Sequence, residues 1–237
     1  MTVIKPSFYR FSALNKDLIN IDYHIHTRWT DGNNTADEVI KAAESLNIRE
    51  IAFTEHIRKD STYFPEFYKE IADIRQRTNV KVHIGVETKV MDNMGNIDLS
   101  ESNYLLAEIV SGSVHRVHNM MGDCCDLKEF DKEKAFRLEF EYTQALVKKN
   151  KIDVLSHPGG MSYKHFGEIP EFFIKETIKL ISESEIAFEI NSKYMNDTIL
   201  DTVLYYCKKY DPYISIGSDV HHVSELGNCK EVLGKYL

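Results

Sequence analysis

Two histidines separated by one residue, His24 and His26, end a β-branched run that begins at Ile21. The period of two along a strand turns both rings to the same side. Two imidazoles so placed make a clamp for a metal ion, and neutral imidazole combined with carboxylate suits Zn, Mn or Fe. Taken singly, such a pair is more often an ordinary surface or core feature. The chain, however, also carries His56, Glu87, His115, His157, Asp219 and His221, each of the same donor chemistry. Whether these act together depends on what the intervening elements do with them.

Short apolar or β-branched runs alternate with longer amphipathic segments, the pattern of βα units and a parallel sheet. The runs are Ile21 to His26, Glu50 to Thr54, Val80 to Glu87, Ile109 to His115, Ile152 to Ser156, Ile186 to Ile190 and Tyr213 to Gly217. Every donor named above falls at or just beyond the C-terminal end of one of them. In a closed parallel barrel those ends converge on one rim, so residues remote in sequence become neighbours. Between the runs, Thr35-Ala36-Asp37-Glu38 reads as a capping box opening a helix with Val39, Ile40, Ala43 and Leu46 on its apolar face. Further helices are expected over Pro65 to Gln76, Lys128 to Lys149, Pro170 to Glu183 and Asn196 to Tyr210, with a shorter one over Ser100 to Glu108.

The 237 residues fit one α/β domain of barrel size, and 43% apolar with 28% charged residues excludes a disordered chain. A formal charge of −8 argues against a nucleic-acid footprint, which needs clustered Lys and Arg, and favours a small substrate. Cys124, Cys125, Cys207 and Cys229 have no CxxC spacing and read as reduced thiols of a cytoplasmic protein. The opening MTVIKPSFYRF lacks an apolar signal core, and no apolar run of membrane-spanning length occurs, so neither secretion nor a membrane partner is expected.

Read in order, the motifs are Asp22-Tyr23-His24-Ile25-His26-Thr27 with Thr30-Asp31-Gly32, Thr54-Glu55-His56, Gly85-Val86-Glu87, Gly112-Ser113-Val114-His115, Ser156-His157-Pro158-Gly159, Glu189-Ile190-Asn191 and Gly217-Ser218-Asp219-Val220-His221. Together they resemble the motif set of the PHP (polymerase and histidinol phosphatase) family of metal-dependent phosphoesterases, over roughly residues 20 to 222. The resemblance implies a distorted (β/α)7 barrel holding two or three divalent ions (Zn, Mn or Fe). It places one ion on His24, His26, Glu87 and Asp219, a second on Glu87, His115 and His157, and a third on Asp31, His56 and His221. Without it, Asp31 would read as a turn residue before Gly32.

What the resemblance implies for function is hydrolysis of a small phosphomonoester by metal-activated hydroxide. Histidinol phosphate, and with it histidine biosynthesis, is the leading candidate. A sugar phosphate, a nucleotide or phosphotyrosine is the alternative within the same chemistry, and a non-catalytic metal-binding module is the alternative outside it. Arg58, Arg116, Lys164 and Lys193 lie within a few residues of the motifs and are candidates to hold the phosphate, with Arg58 and Arg116 preferred. Glu189 and Asn191 read as supports that orient donors. His83 reads as a core residue, and His118, His165 and His222 receive no role. Tyr63, Phe64, Phe67 and Tyr68 fit either a pocket wall or a helix packing face.

Overall fold

The computed structural model describes residues 5–118, 124–149 and 151–237, so the first four residues of the opening segment lie outside the described residues. The strands are β1 (Tyr9–Arg10), β2 (Ile21–Ile25), β3 (Glu50–His56), β4 (Lys81–Lys89), β5 (Ile109–Ser113), β6 (Val117–His118), β7 (Cys124–Cys125), β8 (Val154–Leu155), β9 (Ala187–Asn191) and β10 (Tyr213–Gly217). The α-helices are α1 (Ala36–Ser45), α2 (Phe64–Arg75), α3 (Glu101–Leu106), α4 (Lys132–Lys149), α5 (Gly160–Phe166), α6 (Glu171–Ser182), α7 (Asp197–Tyr210) and α8 (Asn228–Leu233). No helix among the described residues is long and apolar enough to cross a membrane.

One sheet runs β1-β10-β9-β8-β5-β4-β3-β2, and β6 and β7 form a separate antiparallel pair. The seven strands expected from the sequence are its parallel members, and β1 lies antiparallel against the first half of β10, pairing Tyr9 with Ile214. The ring is drawn together where β2 ends. Ile25 bridges Val220, just past β10, with His26 N donating to Val220 O at 2.9 Å and Val220 N to His24 O at 3.0 Å. A register shift between Asp22 and Ile25 distorts the pairing of β2 with β3, where Ile25 N turns to the Thr54 hydroxyl at 3.2 Å. This is the distorted seven-stranded α/β barrel that the motifs imply.

Local chemistry accounts for the helices. The Thr35 and Glu38 side chains form the reciprocal capping box at α1, Pro65 sits in the first turn of α2, and Ser100 and Asn196 cap α3 and α7. Pro170 is itself the N-cap of α6. The apolar helix faces bury Phe64, Phe67 and Phe173 against a sheet that contributes Phe53 and Phe188, all essentially inaccessible.

Several segments depart from the sequence reading: β6, β7 and α8 are additional to it, and the helix expected from Lys128 begins at Lys132. The run Ile152 to Ser156 keeps only Val154–Leu155 as strand, because the Asp153 side chain takes a ladder position: its Oδ2 accepts from Val110 N at 2.9 Å. Helix α5 is hidden in sequence by Gly159-Gly160, and glycines at φ 82° and 73° bound it at Gly159 and Gly167. Strand β1 is too short to display any period.

Candidate metal centre

All nine donors converge at the C-terminal ends of the strands. His24 lies in β2 with His26 just beyond, His56 ends β3, and Glu87 lies two residues before the end of β4. His115, His157, Asp219 and His221 stand on the loops after β5, β8 and β10. His157 and Asp219 hold left-handed backbone, φ 30° and 49°, conformations uncommon for residues with a side chain.

The distances have the scale of a coordination shell. His24 Nε2 and His26 Nε2 are 3.1 Å apart, Asp219 Oδ1 is 3.5 and 3.2 Å from them, and Glu87 Oε2 is 3.8 and 3.7 Å from them. Four donors around an ion at about 2.0–2.1 Å stand roughly 3.3 Å apart. Glu87 Oε1 lies 3.3 Å from His115 Nε2 and 2.9 Å from His157 Nε2. Asp31 Oδ2 lies 3.3 Å from both His56 Nε2 and His221 Nε2.

Glu87 is the hub, and its satisfaction is incomplete. It is 1% exposed, and its Oε2 has no hydrogen bond among the described residues. His56 Nδ1 is 2.8 Å from that oxygen but off the direction a hydrogen bond requires, and it too has no partner. Buried polar atoms without partners are rare and costly. Donors facing one another without bonding is what a shared cation would explain, and an imidazole and carboxylate set suits a divalent ion.

The grouping of donors is less fixed than their convergence. Triads whose donor atoms all lie within 4.8 Å of one another are His24, His26 and Asp219; His24, Glu87 and His157; His56, Glu87 and His115; and His26, His56 and His221. His56, 2.8 Å from Glu87, is thus as close to it as the second-site histidines are, while His24 stands farther off at 3.8 Å. Asp31 belongs to none of these triads, and its side chain is 53% exposed.

Behind the donors stands a layer of supports. Glu189 Oε1 is 2.8 Å from His24 Nδ1, which leaves Nε2 free for a cation, and Glu189 Oε2 accepts from His157 N at 2.6 Å and from the Asn191 amide at 3.1 Å. Three further supports carry no sequence signal of their own. Asp22 accepts from Ser218 N and Gly227 N, both at 3.0 Å, and burial raises its pKa to about 6. Glu55 accepts from Thr27 N at 2.8 Å and from the Thr27 and Thr30 hydroxyls, holding the loop to Asp31, and burial raises its pKa to about 7. Tyr194 donates to Asp219 Oδ2 at 2.8 Å.

A cavity of about 270 Å³ opens over the cluster, and Arg116 and Lys164 line it with Asp126, Met161 and Tyr194. Arg58 and Lys193 are placed elsewhere. The Arg58 guanidinium donates to Glu87 O at 3.4 Å, and Lys193 Nζ donates to Asp219 O at 2.9 Å with His221 Nδ1 3.1 Å away. His83 is buried 2.7 Å from Glu50 Oε1, at the opposite end of β4 from Glu87. His118 meets the Tyr142 hydroxyl, and His222 caps a short turn. Phe64 and Phe67 pack in the core, Tyr63 donates to His56 O, and Tyr68 donates to Glu108, so this quartet belongs to the α2 packing face.

In the metal-free protein these groups titrate against one another. Burial resists a charge on His56, yet Glu87 and Asp31 outweigh it and raise its pKa to about 10. The same contest raises His24 well above its ordinary value through Glu189 and Glu87, and Asp31 raises His221. Raised imidazoles contribute stability that is complete below the unfolded value near 6.5 and is lost as pH climbs through the folded value. Burial lowers His26 to about 4, which costs stability as pH falls below about 6.5. The metal-free melting temperature should therefore fall from about pH 7 toward pH 10. Addition of Mn or Zn should abolish that alkaline decline, because a bound ion replaces the protons. Differential scanning fluorimetry with and without chelator reads both, and a metal-free midpoint that rises above pH 7 would contradict this account.

A PHP domain model matches residues 22–193, which contains six of the seven motifs. A "Probable histidinol-phosphatase" of Clostridium acetobutylicum is 29% identical over 233 residues, covering 90% of this chain and 91% of the relative. A "Probable phosphatase" of Caldicellulosiruptor bescii is 27% identical over 221 residues, covering 90% and 84%. The crystal structure of the Listeria monocytogenes protein assigned as the histidinol phosphatase hisK superposes with a TM-score of 0.71 at 15% identity, covering 90% of this chain and 99% of that one. That likeness is one of fold. With the motifs at the rim of the barrel and the family model spanning most of their length, the chain belongs to the PHP domain family.

Proposed function

We propose that this chain is a metal-dependent phosphatase acting on a small phosphomonoester, with histidinol phosphate the leading candidate substrate and residues 1–237 forming one domain. The observation that carries the reading is Glu87: a fully buried carboxylate, ringed by imidazole nitrogens and left with an unbonded oxygen, at a site whose cavity it lines. The Caldicellulosiruptor bescii and Clostridium acetobutylicum relatives align over 84% and 91% of their own lengths, which supports the same reading.

His24, His26, Glu87 and Asp219 would hold one divalent ion, Glu87, His115 and His157 a second, and Asp31, His56 and His221 a third. Ions bound there would supply a water of lowered pKa and offset the charge on the phosphoryl oxygens. The chain's own contribution is positional. Glu189 fixes the His24 tautomer, Tyr194 and Lys193 hold Asp219, and Arg116 and Lys164 provide positive charge at the mouth for the anionic ester.

Protein freed of metal by chelation should lose at least about 99% of its p-nitrophenyl phosphate hydrolysis, the loss of a several-kcal/mol effect, and regain it with Mn, Zn or Fe. A panel of phosphorylated metabolites then ranks histidinol phosphate against sugar phosphates, nucleotides and phosphotyrosine. Tight metal binding with no turnover of any ester would leave the non-catalytic module as the reading.

A further inference from the structure

The cavity over the cluster has charges of both signs on its walls. Apart from the nine donors, its charged residues are Arg116, Lys164 and Asp126. The two cations have no hydrogen-bond or ion-pair partner among the described residues, which leaves them available to a phosphate. Asp126 differs in being braced. Its Oδ1 accepts from Lys128 N at 3.2 Å and stands 2.8 Å from His165 Nε2, which makes no hydrogen bond among the described residues, while Oδ2 has the Lys128 ammonium 3.6 Å away.

A carboxylate beside a site for a dianionic ester is unfavourable unless something repays the repulsion, since like charges at such range raise one another's energy. Burial works against its charge, but the Lys128 N–H and His165 hold its pKa below the usual carboxylate range. The side chain therefore stays anionic while a phosphate approaches. A substrate whose organic portion carries a positive charge would turn that repulsion into attraction, with phosphate at one end and ammonium or imidazolium at the other.

We propose that Asp126 is a specificity-determining residue, an anionic acceptor that selects phosphomonoesters bearing a cationic group over neutral ones. The selection rests on the phosphatase reading above and adds a residue to it. Capping the turn Leu127–Glu129 is the ordinary use of such an aspartate, and Asn or Ser performs that task nearly as well. Replacement by either therefore separates charge from structure.

The experiment uses the metal-loaded full chain and two esters that differ in one group, 2-aminoethyl phosphate and 2-hydroxyethyl phosphate, with p-nitrophenyl phosphate as reporter of phosphatase activity. The wild type should favour the amino ester by about tenfold in kcat/KM, carried by KM, as a charge-assisted contact would give. Asp126→Asn and Asp126→Ser should bring that ratio close to one, and Asp126→Glu should retain most of it. A ratio near one in the wild type, or one that both charge-removing variants leave intact, overturns the proposal, because a structural role would depress the two esters equally. Failure on all three esters with metal bound would instead overturn the phosphatase reading and this inference with it.

Discussion

Glu87→Gln should lower kcat/KM by on the order of 10³-fold or more, the scale of several kcal/mol of charge stabilisation supplied by bound ions, and should bring metal content down with it. The substitution keeps the shape of the side chain and removes its charge. Five of the eight other donors face that charge. Glu87 is within 3.8 Å of nitrogens from His24, His26, His56, His115 and His157. It is also the carboxylate expected to serve two ions at once. Without ions, His115, His24 and His56 depress its pKa well below the ordinary range even though burial opposes ionisation, so in the variant those imidazoles lose their counter-charge. Metal analysis by mass spectrometry alongside kinetics tests this. A Gln variant with full metal content and kcat/KM within tenfold of wild type would remove Glu87 from the centre of the mechanism.

The second large effect is expected from a residue without functional groups. A Cβ added at Gly217 would stand 2.2 Å from Glu189 Oε1 and 2.6 Å from His24 Cβ. Both are buried side chains that cannot withdraw into solvent. Gly217→Ala should therefore destabilise the fold by about 1–3 kcal/mol, the usual cost of overpacking. It should also weaken metal binding by about 10- to 100-fold, as loss of a carboxylate that orients a histidine does. Urea titration and competition with a chelator measure the two losses separately. If Gly217→Ala binds metal as the wild type does, the carboxylate and histidine have room that these distances deny.

Much of this arrangement could be read from the chain, and the reason is chemical. Residues such as His24 and His56 stand at strand ends that a parallel barrel must bring together, so strand periodicity alone located the cluster, and Tyr213–Gly217 begins and ends where its residues suggested. Asp31 was legible only through its motif, because an aspartate before glycine has an ordinary turn explanation. The supports were harder. Asp22 and Glu55 act through backbone N–H groups on distant loops, contacts that no spacing rule encodes. Proximity in sequence did not sort the cations: Arg116, beside His115, lines the cavity, as does Lys164 on a helix hidden by its glycines, whereas Arg58, two residues past His56, donates to the backbone of Glu87.

The seam at Ile25 and Val220 has a consequence for how the protein comes to exist. His24 and His26 leave the ribosome nearly two hundred residues before Asp219 and His221, and only the last parallel strand brings the two pairs into register. Closing so long a loop is slow compared with forming local βα units. A nascent chain would therefore hold the His24 and His26 pair without Asp219 and His221 until β10 is made and docked.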